Sequence, residues 1–355
     1  MQALYTYPSH LEEIIGNLMD RDWLVHNFDS VDDLDTYNFA SYLYNKQVNG
    51  VTYTIYLDLN IYQFIVNAFK KSKPRKEFRD AIGLVVFCQF AEIELDPTYA
   101  VYEKINYRSD NELLNEVISD LELFHRINNT NNSSLLEFAL GYIDAINPMA
   151  SYTMNSTVTK KNLTKYSRLR EWNSLYLIVL YVIYTSQLQN LSRLDKLKKV
   201  VEWMIAEFRL SLVGITFAAI YFSETPMKRM MKYKVTDDPC SKQRSAFNMT
   251  WDIYNLNRYF RMWTERDPEQ EGMFASGDKV FNAVLRKSIK VQQADCLDSF
   301  KDFLPQDIVC YIEKIASQPS EHFERAYESQ SWSPSYRSEL IRKYESLTGI
   351  EHSVT

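Results

Sequence analysis

The sequence predicts an α/β fold that is predominantly helical, with a small, mostly parallel sheet and a large all-helical insertion. Three observations carry that expectation. Only 8 glycines and 10 prolines punctuate the 355 residues, whereas 25 tyrosines and 19 phenylalanines fill them, a balance that favours helices over a turn-rich β fold. The segment VTYTIYLDLN (51–60) is β-branched and aromatic, follows a Val-Asn-Gly turn signal, and alternates before ending in Asp58 and Asn60. From about 106 to 245 the chain reads as successive helices without clear strands.

The remaining elements follow in order. Ser9 and Glu12 have capping-box spacing for a first short helix. A second helix is expected near Ser30, with Asp32, Asp33 and Asp35 in its first turn and Asp29 beside them. Acidic residues at a positively polarised helix start are the ordinary reading of that cluster, ahead of a metal site. After the strand at 51–59 comes a helix, IYQFIVNAFKK, a break at Lys73-Pro74, and a helix from about Arg75 to Phe90. EIEL (92–95) is a short strand candidate. Asp96-Pro97 then signals a helix start, and PTYAVYEKI carries Glu103 two turns in. Polar stretches at 128–134 and 150–159 read as loops. MFASGDKVFNAVL (273–285) returns to β/α character, with a strand expected at 272–276. The expected organisation is an N-terminal helical segment (1–50), a core in two parts (51–105 and 246–290), a helical insertion (106–245) and C-terminal helices (291–355).

Composition narrows the function. Apolar residues make up 46% of the chain, enough for a sizeable core without disulfides. A net charge of −6 excludes a uniformly basic nucleic-acid coat but leaves room for a local basic surface. Cys88, Cys240, Cys296 and Cys310 are scattered, with no C-x-x-C pair, so a reducing cytoplasm fits better than a disulfide or zinc framework. The start of the chain lacks the pattern of a signal peptide. The apolar runs at 175–184 and 212–222 fall short of the roughly 20 residues that span a bilayer and read as buried helices.

Four segments each place one carboxylate where a scaffold could aim it inward. Asp58 ends the first strand, where the chain leaves the sheet. Glu103 lies on the helix behind the second strand. Asp252, in FNMTWDIYNLNRYF, shares a helix face with Asn255 and Leu256. Asp278 sits at a strand–turn–helix junction with Ser276, Gly277 and Lys279 around it. Each has a plainer reading: Asp58 as a turn residue, Asp278 as a helix cap, Asp252 as a first-turn carboxylate, Glu103 as a solvated side chain.

YLDLN, the strand–Pro-helix–Glu unit, TWDIYNL and FASGDKVFNAVL, in that order, resemble the four acidic motifs of PIN-like nucleases. The resemblance covers about 50–110 and 245–290 and implies a PIN-like core interrupted by a long helical insertion. Glu92 and Glu94 are alternatives to Glu103 for the second motif. The resemblance implies phosphodiester hydrolysis, with RNA favoured over DNA, at Mg²⁺ or Mn²⁺ held by Asp58, Glu103, Asp252 and Asp278, with Asn60 positioning the site. The chemistry agrees, because hard divalent cations prefer oxygen ligands, and clustered carboxylates repel one another unless a cation offsets the cost. Replacing Asp58 or Asp278 by Asn is expected to remove activity while stability holds or rises.

Basic residues cluster at 159–170 (Lys160, Lys161, Lys165, Arg168, Arg170) and at 226–234 (Lys228, Arg229, Lys232, Lys234). With Lys279 they are candidate contacts to nucleic acid, and a solvated helix face is the alternative for each stretch. The insertion is also a candidate surface for a protein regulator or a second copy of the chain. No Walker, dinucleotide-binding, zinc-protease or serine-hydrolase motif is present, and His10, His26, His125, His322 and His352 stand outside any catalytic pattern. The rival from another class is an inactive PIN-like core serving as a helical interaction protein.

Overall fold

A computed structural model describes residues 7–28, 35–106, 110–149, 152–165, 169, 171–224, 227, 229–265, 267, 269–293, 297–317 and 332–351. It divides the chain into two compact units, residues 1–168 with 261–282, and residues 169–260 with 283–355. The expected boundaries at 105 and 245 do not coincide with this division.

The first unit holds the sheet. Its elements begin with α1 (Leu11–Arg21), β1 (Leu24–Val25), α2 (Phe39–Asn49), β2 (Thr52–Leu57), α3 (Leu59–Lys70), α4 (Lys76–Ala91), β3 (Glu94–Asp96) and α5 (Thr98–Ile105). They continue with α6 (Asn111–Asn128), α7 (Asn132–Leu140) and α8 (Ser156–Thr164), and β4 (Gln270–Ala275) closes the sheet. Among the described residues, four strands form one sheet in the order β1-β4-β2-β3. β2 is central and runs parallel to both β3 and β4, while β1 lies antiparallel on the β4 edge. The sheet is therefore mixed, with the parallel strands where the sequence placed them. Tyr53, Ile55 and Leu57 of β2 are buried, as its alternation predicted.

Helices cover this sheet for a simple reason: parallel strands need crossovers, and the crossovers pack on the faces. In α3 the buried positions Ile61, Tyr62, Ile65 and Val66 recur at helical spacing, and the helix packs against α4, α5 and α6. α4 is buried almost continuously from Ala81 to Cys88 and is packed by α1, α2, α3 and α7. Its one buried charge, Asp80, meets Arg21 at 2.6 Å. Burial pushes the Asp80 carboxyl up despite the opposing pull of Arg21. A second ionic centre joins Asp120 of α6 to Lys70 and, at 2.6 Å, to Lys104, which also reaches Glu116 at 2.7 Å.

The second unit is helical among its described residues. It contains α9 (Trp172–Ser186), α10 (Arg193–Ala206) and α11 (Leu212–Phe222), then α14 (Gln306–Ala316) and α15 (Pro334–Thr348). It also takes α12 (Pro239–Glu265) as far as Phe260, and α13 (Lys279–Gln293) from Ala283 onward. The runs 175–184 and 212–222 are buried, as expected, apart from half-buried Tyr184 and Tyr221 and exposed Leu212. Trp203 lies between Tyr181 and Phe208, with centroids at 4.1 and 4.7 Å, and Tyr344 stands edge-on to Tyr181 at 5.0 Å. Gly214 lets α11 approach closely, since a methyl group there would fall 2.6 Å from Met204 Cε and 2.9 Å from Ile178 Cδ1. The expected insertion is thus divided, with α6–α8 in the first unit and α9–α11 in the second.

Several local expectations need correction. The first helix starts at Leu11 without a Ser9 capping bond; the Leu11 N–H donates to Pro8 O at 3.0 Å, and His10 occupies the cap position. Asp29, Ser30, Asp32 and Asp33 lie outside the described residues. Asp35 opens a short 3₁₀ turn and the following helix begins at Phe39. The strand expected at 92–95 begins two residues later, because Glu92 adopts a left-handed conformation (φ 53°) that ends α4. Pro97 occupies the cap position of α5 rather than its first turn. Within the expected loop 150–159, residues 156–159 belong to α8, capped by Asn155.

Candidate active site

The carboxyl ends of β2 and β4 meet in one hydrogen-bonded junction. The Asp58 N–H donates to Ala275 O at 2.9 Å, extending the ladder by one rung beyond the strands. Asp58 then caps α3, its Oδ1 accepting from Leu59 N at 2.8 Å. Its Oδ2 accepts from the Ser276 hydroxyl at 2.6 Å and from the Asn60 amide. Ser276 Oγ in turn accepts from the Asp278 N–H at 3.0 Å. The Gly277 N–H donates to Asn60 Oδ1 at 2.7 Å. A methyl group at 277 would fall 2.9 Å from that same oxygen, so glycine is what permits the approach.

Burial fixes this junction. Ser276 and Asn282 are almost wholly buried, and Asn282 Nδ2 donates to Ser276 O at 2.9 Å and to Asp22 O at 3.1 Å. The Ser276 N–H donates to Trp23 O at 3.0 Å. Asp278 and Asp58 keep partial exposure at the rim. Asp278 Oδ1 caps α13, accepting from Val280 N at 2.9 Å and Phe281 N at 3.2 Å. Both carboxylates therefore stand at the positively polarised starts of helices, where negative charge is favoured. The capping reading of Asp278 is correct as geometry, and Asp58 does the same work.

Capping consumes only part of each group. A carboxylate offers about four lone-pair directions. Asp278 uses Oδ1 alone, and among the described residues its Oδ2 meets no donor. Asp96, which ends β3 and is paired in register with Tyr56 of β2, repeats the pattern: Oδ1 accepts from Thr98 N at 2.8 Å and Oδ2 meets no donor among the described residues. Three parallel strands thus end in Asp96, Asp58 and the Ser276–Asp278 turn, the edge at which open α/β sheets present ligands. No group of three or more His, Cys, Asp or Glu side chains is gathered to hold a metal ion among the described residues.

The other expected residues lie on other elements. Glu103 is half-buried on α5, which packs against β2 and α3. Glu92 is paired with Lys46 at 2.7 Å, and Glu94 is exposed on β3. Asp252 belongs to the second unit and is paired with Lys232 at 2.6 Å. Lys161 is exposed on α8, Arg229 is exposed in a left-handed turn (φ 68°), and Lys279 is exposed beside Asp278 at the start of α13. Arg168, Arg170 and Lys228 lie outside the described residues. Sequence reasoning missed Asp96, because the Asp-Pro pair was read only as a helix start. It noted Ser276 without a role, since nothing in a sequence reveals a hydroxyl that joins two carboxylate residues 220 positions apart.

Compared with known proteins, the chain matches no family model, no curated protein and no solved structure. No described helix is long and apolar enough to cross a membrane.

Proposed function

We propose that this chain is a metal-dependent nuclease of the PIN-like kind, acting on RNA in preference to DNA from the carboxyl edge of its sheet. The observation that carries the reading is the Ser276 hydroxyl, which donates to the Asp58 carboxylate and accepts from the Asp278 backbone N–H at the ends of neighbouring parallel strands. The donor chemistry suits Mg²⁺ or Mn²⁺, since the oxygens on offer are hard and partly exposed. Mg²⁺ sites commonly use one or two carboxylates, several waters and the phosphate of the substrate, so a cage of three protein ligands is not required. When bound, such an ion would supply an acidified water and neutralise charge developing on the phosphate.

Within this reading, Asp278 Oδ2 and the Asp58 carboxylate would hold the ion. Asp96 Oδ2, on the adjacent strand end, is a further ligand or orients water. Ser276 and Asn60 are positioning residues, fixing the rotamer of Asp58 and the Gly277 backbone. Glu103 completes the acidic set, and Lys279 contacts the phosphate. Asp252, which pairs with Lys232 in the second unit, is given no role in this reading. The test is cleavage of RNA and DNA by purified protein with Mn²⁺ or Mg²⁺, beside Asp278→Asn. Equal cleavage by wild type and variant would remove Asp278 from the mechanism.

One observation favours a second reading. Asp58 and Asp278 both cap helices, so both have a structural use that an inactive interaction protein would retain. Absence of cleavage under every metal, with Asp278→Asn as stable as wild type, decides for that reading.

A further inference from the structure

We propose that the corner formed by α6, α8 and the segment leading into α8 is a contact surface for single-stranded RNA, with Tyr152 and His125 as its stacking pair. The proposal deepens the nuclease reading and rests on it only for the choice of polymer.

α8 is an unusual helix for a folded unit. None of its residues is buried, and only Leu163 packs, partly, against the core. A nine-residue helix is too short to persist in water on propensity alone, and one that is polar all round needs some other partner. Residues 152–165 contain Lys160, Lys161 and Lys165 and no acid. Among the described residues no ion pair neutralises Lys160 or Lys161. On the α6 side, Glu116 and Asp120 are already paired with Lys104, which leaves Glu112 and Glu122. Uncompensated positive charge on an uncovered helix matches a phosphate backbone.

The segment before α8 supplies what lysines cannot. The rings of His125 and Tyr152 stack with centroids 4.7 Å apart and planes 25° from parallel, and both keep part of their surface in solvent. Two bonds from α6 and the turn after it hold Met149: Arg126 Nε donates to Met149 O at 2.9 Å, and the Met149 N–H donates to Thr130 Oγ1 at 2.8 Å. The terminal nitrogens of Arg126, the residue after His125, meet no acceptor among the described residues. Cations on a helix in contact with the one that carries an aromatic pair supply what single-strand binding uses, the cations following phosphates and the rings taking bases. A duplex hides its bases from such a pair, and unpaired bases in loops and ends are how RNA is ordinarily read.

The experiment measures binding of a labelled oligouridine to the full chain in EDTA, where no cleavage confuses the reading. Lys160→Glu with Lys161→Glu should weaken binding about tenfold or more and flatten the salt slope by about 1.4, the value for two lost contacts to a single strand. Tyr152→Ala should weaken it about tenfold, and Tyr152→Phe should restore it, because only the ring is needed. If wild type binds oligouridine in EDTA and no metal supports its cleavage, the nuclease reading fails and the surface stands. Wild-type affinity in both the lysine and the Tyr152→Ala variants would overturn the surface. Loss confined to the lysine variant, with duplex DNA bound as well as oligouridine, would overturn the stacking pair. Tighter binding of oligothymidine than of oligouridine would overturn the assignment to RNA.

Discussion

Two acidic centres of the first unit use carboxylates in opposite ways. Asp120 is buried, and both its oxygens are met by ammonium groups, from Lys70 and Lys104. The rim of the sheet presents Asp278 and Asp96 instead, each with one oxygen on backbone N–H groups and no cation paired with it among the described residues. The first arrangement completes its own charge balance and holds α3, α5 and α6 together. The second is held in place by neutral donors and is left with capacity for a charge from outside. Burial with a built-in counter-charge serves the fold, whereas fixed position with an unmet oxygen is the arrangement the proposed site uses.

Breaking Asp120 should have the largest effect on the fold. Asp120→Asn leaves two ammonium groups facing a neutral amide, and loss of one partner from a buried ionic group typically costs about 3–5 kcal/mol. Chemical denaturation reads this directly, and a loss under about 1 kcal/mol would place Asp120 with ordinary surface pairs. The pH dependence adds a sign. Burial opposes the charge on Lys104, but bonding to Asp120 and Glu116 outweighs it and raises the Lys104 pKa above its ordinary 10.5. Its contribution is therefore complete below about 10.5 and is lost as pH climbs through the raised value. In Asp120→Asn that alkaline loss should shrink.

At the rim the sizes reverse, with activity falling more than stability. Asp278→Asn should reduce cleavage on the order of a hundredfold or more, by analogy with losing one charge-stabilising group. Asn caps a helix about as well as Asp, and the replaced Oδ2 has no donor to lose among the described residues, so stability should change by less than about 0.5 kcal/mol. Asp58→Asn is a less clean test. The sequence alone suggested that either change relieves repulsion, but Asp58 Oδ2 accepts from both Ser276 and Asn60. An amide there sets donor against donor, and Asn60 cannot flip without losing its bond to Gly277. Asp58→Asn should therefore destabilise by about 1–3 kcal/mol. A gain in stability would show that repulsion, not bonding, dominates at the rim.

Much of this was legible in the sequence, and the gaps have physical causes. β2 announced itself by alternation and its Asn-Gly turn, and β4 by the SGD break that follows it. β1, two residues long, carries no period to read. That β4 lies between β1 and β2 could not be read either, because the pairing joins segments more than 200 residues apart and no local signal encodes it. Asp58 was singled out because it ends a strand, and Asp278 because it sits at a strand–turn–helix junction. Asp96 ends one too, but its strong capping signal with Pro97 concealed that position.

The smallest effect is the one that separates a site from a pair of caps without any assay of cleavage. A ligand that binds only the folded state stabilises it by RT ln(1 + [L]/Kd), about 1.4 kcal/mol when the ligand is present at ten times its Kd. Mg²⁺ or Mn²⁺ titrated into substrate-free wild type should raise the melting temperature by a few degrees and then saturate. Asp278→Asn should abolish the rise, and Asp96→Asn should reduce it if the neighbouring strand end contributes a ligand. Asp120→Asn, far less stable in itself, should keep the metal-induced increment intact, because its charge is already balanced within the protein. An increment that survives Asp278→Asn would move the cation away from the rim. No increment at all would mean that any ion binds only with the substrate phosphate in place, and the same titration with a non-cleavable oligonucleotide would then have to restore it.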